Sequence, residues 1–256
     1  MWGEPRALNA MANALYVLAF LLVLYATGTT MTQSPTFSLR AIRILGHLEK
    51  VNRDQIVDAL QGRVRGTFFT ADIGAIRSMF ETIPWVRRAQ VRRYWPNRLE
   101  VTLEEHVPLA RWGQGVDARL VNTYGEVFSG HPDSETHAGL PRFEGPAGSE
   151  QEVARRHALF GQLLAPIGLQ IHAVALSHRR SWSIRITSGL TIQLGRDRGK
   201  DPIRARLARF VEVYPNALKG LSDRLEYVDL RYLNGFALRV PETQREEHLG
   251  PVHGKA

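Results

Sequence analysis

VRRAQVRRYWPNRLEVTLEE occupies residues 86–105 and reads as two strands folded back on each other. In its second half Leu99, Val101 and Leu103 alternate with Glu100, Thr102 and Glu104, the period of a strand with one face in a core and the other in water. Residues 86–94 supply the first strand, and Pro96 with Asn97 supplies the turn. Working upstream, Asp72 stands in the first turn of a helix that begins after Thr70, buries Ile73, Ile76 and Met79 or Phe80 at helical spacing, and is closed by Pro84. Asn52 with Gln55 three residues on is a capping signature for a helix over residues 53–60, stopped by Gly62. Residues 37–45 alternate imperfectly as a strand that Gly46 ends. The order is β-α-α-β-β over residues 37–106.

Further upstream, no charged side chain stands between Arg6 and Arg40, and residues 15–25 read LYVLAFLLVLY without a polar break. A helix rising about 1.5 Å per residue needs roughly 20 apolar residues to cross a bilayer core, and residues 10–30 supply them. A cleaved secretory signal with its site at Ala26 and Gly28 is the competing reading, although the uncharged stretch outruns an ordinary signal core. A buried core helix would need a polar face, which this stretch lacks. One Arg and one Glu precede the span and Arg40 and Arg43 follow it, so charge bias does not orient it. A short tail before a first hydrophobic segment predicts residues 1–9 in the cytoplasm and the bulk exported.

The chain has 256 residues, 44% hydrophobic and 23% charged, with a formal net charge of +8 and no cysteine. That length suits two domains of about 100 residues beyond the anchor. Disulfides, thiolate metal ligands and cysteine nucleophiles are excluded. The basic balance fits nucleic acid, anionic headgroups or an acidic protein, without choosing among them.

In the second segment, residues 109–112, 119–122 and 127–128 are strand-like around a turn at Tyr124, Gly125 and Glu126. Residues 131–148 read as a loop rich in Pro, Gly and His. Ser149 with Glu152 reads as a capping box for a helix that Pro166 ends. Strands follow at residues 171–176, 182–186 and 190–194, then a helix with Pro202 at its first position, ended by Pro215. Residues 225–231 and 236–240 form a hairpin around Asn234 and Gly235. The fold class is α+β: one transmembrane helix, a β-α-α-β-β module, and a second mixed domain over residues 107–240 on an antiparallel-rich sheet. Residues 241–256 lack apolar periodicity and are expected to be disordered.

No His-Glu-x-x-His, Gly-x-Ser-x-Gly or P-loop pattern is present, so no catalytic, cofactor or metal site is expected. Glu104, Glu105 and His106 form the most enzyme-like cluster, but adjacent strand residues point to opposite faces. His131 and His137 are two loop histidines, too few for a metal and expected in solvent. Arg87, Arg88, Arg92, Arg93 and Arg98 interleave with aromatics as a nucleic-acid surface would, yet an exported domain meets no chromosome, and a solvated docking face is the better reading. Arg204, Arg206 and Arg209 read as the polar face of their helix. What remains is an interaction protein, and its terminal strand is expected at a sheet edge, offering unpaired backbone groups to a partner.

The β-α-α-β-β order placed directly after one span resembles a POTRA module. Pro84-Trp85-Val86, the Arg92–Asn97 run, the run from Glu105 to Trp112, Arg179-Arg180-Ser181-Trp182, Leu194-Gly195-Arg196, the run from Arg206 to Pro215 and that from Tyr227 to Tyr232 are similar, in order, to blocks of the FtsQ/DivIB family of bacterial cell-division proteins. The resemblance covers most of the chain. It implies a non-enzymatic inner-membrane scaffold of the division septum, with FtsB and FtsL as partners and a role in restraining septal peptidoglycan synthesis. By matched position it implies that Arg231 and Arg179 meet acidic partner groups, that Tyr232, Gly235 and Phe236 line an added strand, and that Val91, Arg92 and Arg93 serve recruitment. Leu233, Phe236 and Arg239 depart from the family's pattern. A POTRA protein of an outer-membrane insertion or secretion system and a periplasmic cell-wall enzyme are the alternatives, the first usually carrying tandem modules or a barrel.

Overall fold

The computed structural model describes residues 5–33, 37–113, 119–130, 137, 139–197, 202–219, 225–232 and 235–239. The expected turn residue Asn234, Val240, His131 and the tail over 241–256 lie outside them. The chain divides into two compact units, Met1–Glu105 and His106–Ala256.

Helix α1 (Pro5–Gln33) contains a 22-residue apolar stretch, Asn9–Thr30, with a mean hydropathy of 1.9 and none of it buried within the chain. Thr27 and Thr30 turn their hydroxyls back onto the carbonyls of Val23 and Ala26, which leaves the helix with little polar surface to hydrate.

The rest of the first unit is built from β1 (Ala41–Leu45), α2 (Arg53–Leu60), α3 (Ile73–Glu81), β2 (Val86–Tyr94) and β3 (Arg98–Glu105). β3 is central, parallel to β1 and antiparallel to β2. Leu99, Val101 and Leu103 enter a core with Ile56, Ile76, Phe80 and Val86, as their alternation predicts. The first strand is shorter than read, because Ser38 makes only an isolated bridge to Thr67. Gly46 ends it with φ of +136°, and a Cβ there would collide with the Leu103 carbonyl oxygen. At α2 the capping box forms: the Asn52 side chain accepts from Gln55 N at 2.9 Å, and Gln55 Oε1 from Asn52 N at 3.3 Å. Asp72 is the N-cap of α3 rather than a first-turn residue, accepting from Ala75 N.

Among the described residues the second unit is a nine-stranded mixed sheet with two α-helices of more than ten residues packed on it. Its strands are β4 (Pro108–Trp112), β5 (Arg119–Asn122), β6 (Val127–Phe128), β7 (Arg142–Glu144), β8 (Ile171–Leu176), β9 (Ser181–Ile186), β10 (Thr191–Arg196), β11 (Tyr227–Asp229) and β12 (Ala237–Arg239). The order runs β12-β11-β10-β9-β8-β7-β4-β5-β6, so β12 stands at one end. Helices α4 (Glu150–Leu164) and α5 (Pro202–Val213) pack Val153, Phe160, Leu164, Ile203, Leu207 and Phe210 onto one face, against Phe143, Val174, Trp182, Ile184, Ile192 and Val228.

Three readings are corrected here. β7 lies in what reads as loop, paired in parallel with both β4 and β8. Ser149 is the N-cap of α4 but makes no capping bond; its hydroxyl donates to the Pro146 carbonyl, and Glu152 binds Arg180 instead. Pro215 does not stop the chain's coiling: a π turn over Tyr214–Leu218 continues α5 and buries Tyr214 and Leu218.

Candidate functional site

β11 ends in a buried acid. The Asp229 side chain is 5% exposed, and Arg231 closes over it, donating from its backbone N and Nε to Oδ1 at 3.0 and 2.9 Å and from Nη2 to Oδ2 at 2.6 Å. Burial alone would raise the Asp229 carboxyl; the Arg231 hydrogen bonds and charge outweigh it and hold the group below its ordinary value. The same bonds push the Arg231 guanidinium above its ordinary value. Space for the arginine comes from Gly195, in a β-bulge of β10 with φ of +79°, where a Cβ would lie 2.7 Å from Arg231 Cγ.

Around that pair the hairpin between β8 and β9, the end of β10 and α5 converge. Ser177, Arg179, Arg196, Arg206 and Arg231 line a groove of about 500 Å³. Arg206 is therefore not simply the polar face of its helix, since it donates to the carbonyls of Leu194 and Arg196 at the end of β10. Arg179 is exposed, whereas its neighbour Arg180, with φ of +61°, is bound to Glu152. The groove gathers guanidinium groups against one carboxylate, and the chemistry this permits is recognition of an anion rather than proton or group transfer.

Beside it, Tyr232 is 58% exposed and β12 is exposed along Ala237, Leu238 and Arg239. Phe236 is half-buried with its ring edge-on to Phe210 at 6.3 Å, so part of it belongs to the core. A Cβ on Gly235 would meet nothing within 4 Å. In the first unit Val91, Arg92 and Arg93 lie on β2, one of the two outer strands of its sheet. Val91 packs on the core and Arg92 is exposed, while Arg93 is tied inward, donating to the Ala71 carbonyl at 2.9 Å.

The enzyme-like cluster diverges. Glu104 pairs with Arg87 at 2.8 Å, Glu105 accepts from the backbone of Glu49, Lys50 and Val51, and His106 stacks on Phe128 at 4.1 Å. His137 is buried, against its expectation as a solvated loop residue. Among the described residues no group of three His, Asp or Glu is placed to hold a metal ion. Arg196 and Arg206 were not legible as members of the site, because a bulge and a helix separated in sequence bring them there.

Residues 37–106 match the family model described as POTRA domain, FtsQ-type, and residues 110–231 match that described as Cell division protein FtsQ/DivIB, C-terminal. An apolar anchor helix, a POTRA module and a mixed-sheet domain define a membrane-anchored POTRA protein. The chain is 44% identical over 241 residues to the cell division protein FtsQ of Burkholderia pseudomallei, covering 94% of each. It is 41% identical over 244 residues to that of Nitrosospira multiformis (93% of this chain, 99% of the relative), and 32% identical over 237 residues to that of Escherichia coli (89% and 83%). The chain belongs to the FtsQ family of cell division proteins, and is a membrane-anchored component of the divisome.

Proposed function

We propose that this protein is a non-enzymatic divisome scaffold that binds FtsB and FtsL and helps restrain septal peptidoglycan synthesis until assembly is complete. Residues 10–30 cross the inner membrane as a type II anchor with residues 1–9 cytoplasmic, and the POTRA module (37–106) and β domain (107–240) are periplasmic at the septum. The observation that carries the reading is the joining of Arg179 and Arg231 in one groove beside the outermost strand, β12. A partner strand adds to β12 through the backbone, over Gly235 and Phe236 and beside the exposed Tyr232, while acidic partner groups enter the groove. Anchoring in one membrane plane raises the partners' effective concentration without any new contact. Val91 and Arg92 on β2, with Arg93, form a second surface for recruitment.

The test is a pull-down of the detergent-solubilised full chain with the periplasmic part of FtsB and FtsL. Tyr232→Ala and Arg179→Glu are each expected to weaken binding by about tenfold or more, as truncation of an interface anchor or reversal of a charge does. Arg231→Glu would also set a second carboxylate beside Asp229, so Arg179→Glu, at an exposed residue that is not part of that pair, is the cleaner reversal. Binding that neither Tyr232→Ala nor Arg179→Glu disturbs would move the site away from this edge.

A further inference from the structure

The face of the second unit's sheet that turns away from α4 and α5 carries a feature that the β12 edge does not use. Partners in register share a face of a sheet. Followed from strand to strand, the register joins Arg111 to Arg142, Arg142 to Ala173, Ala173 to Arg185, Arg185 to Thr191, Thr191 to Tyr227 and Tyr227 to Arg239. Their neighbours along the strands, Ala110, Trp112, Phe143, Val174, Ile184, Ile192 and Val228, enter the core, so the seven joined in register lie on the opposite face; beyond Arg111 the row runs on to Leu120 and Phe128, which are buried.

Four of these seven residues are arginines. Arg111 and Arg142 are direct cross-strand neighbours, a like-charge pairing that destabilises a sheet unless an anion answers it. Among the described residues neither they nor Arg185 has a carboxylate partner, and Arg111 Nε is buried without a hydrogen bond. Among the described residues the acids of the next row along this face are Glu144, which lines the rim of the same groove, and Asp229, which is held by Arg231. Between Arg142 and Arg185 the floor is made of small side chains, Ala173, Ala175, Ser183 and Thr191, and forms a groove of about 310 Å³ that Glu144 and His172 also line.

We propose that this row is a docking surface for an acidic helix of a partner protein, laid across the strands over Ala173. With strands about 4.8 Å apart, Arg111, Arg142 and Arg185 stand at about 0, 5 and 14 Å along the row. Carboxylates at i, i+4 and i+11 share one face of a helix and stand at about 0, 6 and 16 Å. A helix also brings its backbone hydrogen bonds with it. An extended segment pressed on the face of a sheet finds no backbone partner, because those groups are already joined in the plane of the strands. A flat anionic membrane would meet protruding cations, whereas of these three arginines Arg111 and Arg142 are half-buried and only Arg185 is exposed.

The probe is a fluorescent Ala/Gln helix of about 20 residues with Glu at i, i+4 and i+11, titrated by anisotropy against the full chain in uncharged detergent. Saturable binding is expected, weakening as salt rises, and falling about tenfold in Arg142→Gln/Arg185→Gln, since each exposed or half-exposed pair contributes a few-fold. Arg185→Gln alone, at an exposed position that the core does not use, should lose a few-fold with an unchanged melting curve. Arg155→Gln on α4 should bind as wild type. Equal binding of a Gln-for-Glu peptide, or undiminished binding by the double variant, would overturn the proposal. So would displacement of the peptide by phosphatidylglycerol vesicles that bind through the same arginines, which would assign the row to lipid.

Discussion

Asp229 and His157 are groups whose charge state the fold itself sets. Asp229 is buried, which favours its neutral form, and Arg231 reverses that, keeping it ionised below the ordinary carboxylate range. His157 on α4 packs beside Phe143 at 5.0 Å, and burial lowers its affinity for a proton. In both cases the native state binds fewer protons than the unfolded chain, so stability rises with pH, but the windows differ. The His157 contribution is lost as pH falls below about 6.5, the ordinary histidine value, because the unfolded chain takes the proton first. The Asp229 contribution is complete above about 4 and is lost as pH falls below that through its depressed native value. Thermal melts between pH 7 and 3 should therefore fall less steeply below pH 6.5 in His157→Gln than in wild type. Asp229→Asn should lose about 1–2 kcal/mol at neutral pH, discounted for an Arg231 side chain 55% exposed, and flatten the acid limb. An unchanged difference curve for His157→Gln would mean its burial does not govern its titration. For the site, Arg231 approaches a partner already oriented by Asp229, with Nη1 not engaged by that carboxylate.

Two helices that read alike in sequence begin differently. Asn52 and Gln55 close a reciprocal cap on α2, so Asn52→Ala is expected to cost about 1 kcal/mol by denaturant unfolding. Ser149 and Glu152 show the same spacing, yet Glu152→Gln should act through its bond to Arg180 and change stability by only a few tenths of a kcal/mol. Equal losses for the two would put the Ser149 box back in place. The contrast marks where sequence reading holds. Strands β2 and β3, helix α2 and strand β8 are legible to the residue, since alternation or a formed cap is written locally. β7 was not, because three residues with one inward side chain, Phe143, become a strand only through distant partners on β4 and β8. Pro215 removes one helical donor, yet burial of Tyr214 and Leu218 carries the chain on in a wider turn. The site divides the same way. Arg231 and Tyr232 fall in one family-like block, whereas Gly195, Arg196 and Arg206 join them only by tertiary contact.

At the scale of the whole molecule, α1 decides where everything else acts. Its 22-residue apolar stretch would extend about 33 Å, enough to cross a hydrocarbon core of about 30 Å with slight tilt. Leu15, Tyr16, Phe20, Leu21 and Tyr25 are all more than half exposed and are not covered by any of the described residues, so the surface that satisfies them is lipid or other helices in lipid. Charges at its centre test this directly. Leu18→Arg with Leu21→Arg adds roughly 5–7 kcal/mol to insertion on the scale of translocon measurements, enough to reverse it. The full-length wild-type chain is expected to stay with membranes after alkaline carbonate extraction, and the double variant to move to the soluble fraction or be lost to proteolysis. Once released, the domain would keep whatever affinity its arginine groove has for a soluble partner but lose the confinement that makes weak contacts between anchored proteins sufficient. A double variant that remains in the membrane pellet would show that α1 is not what holds this protein there.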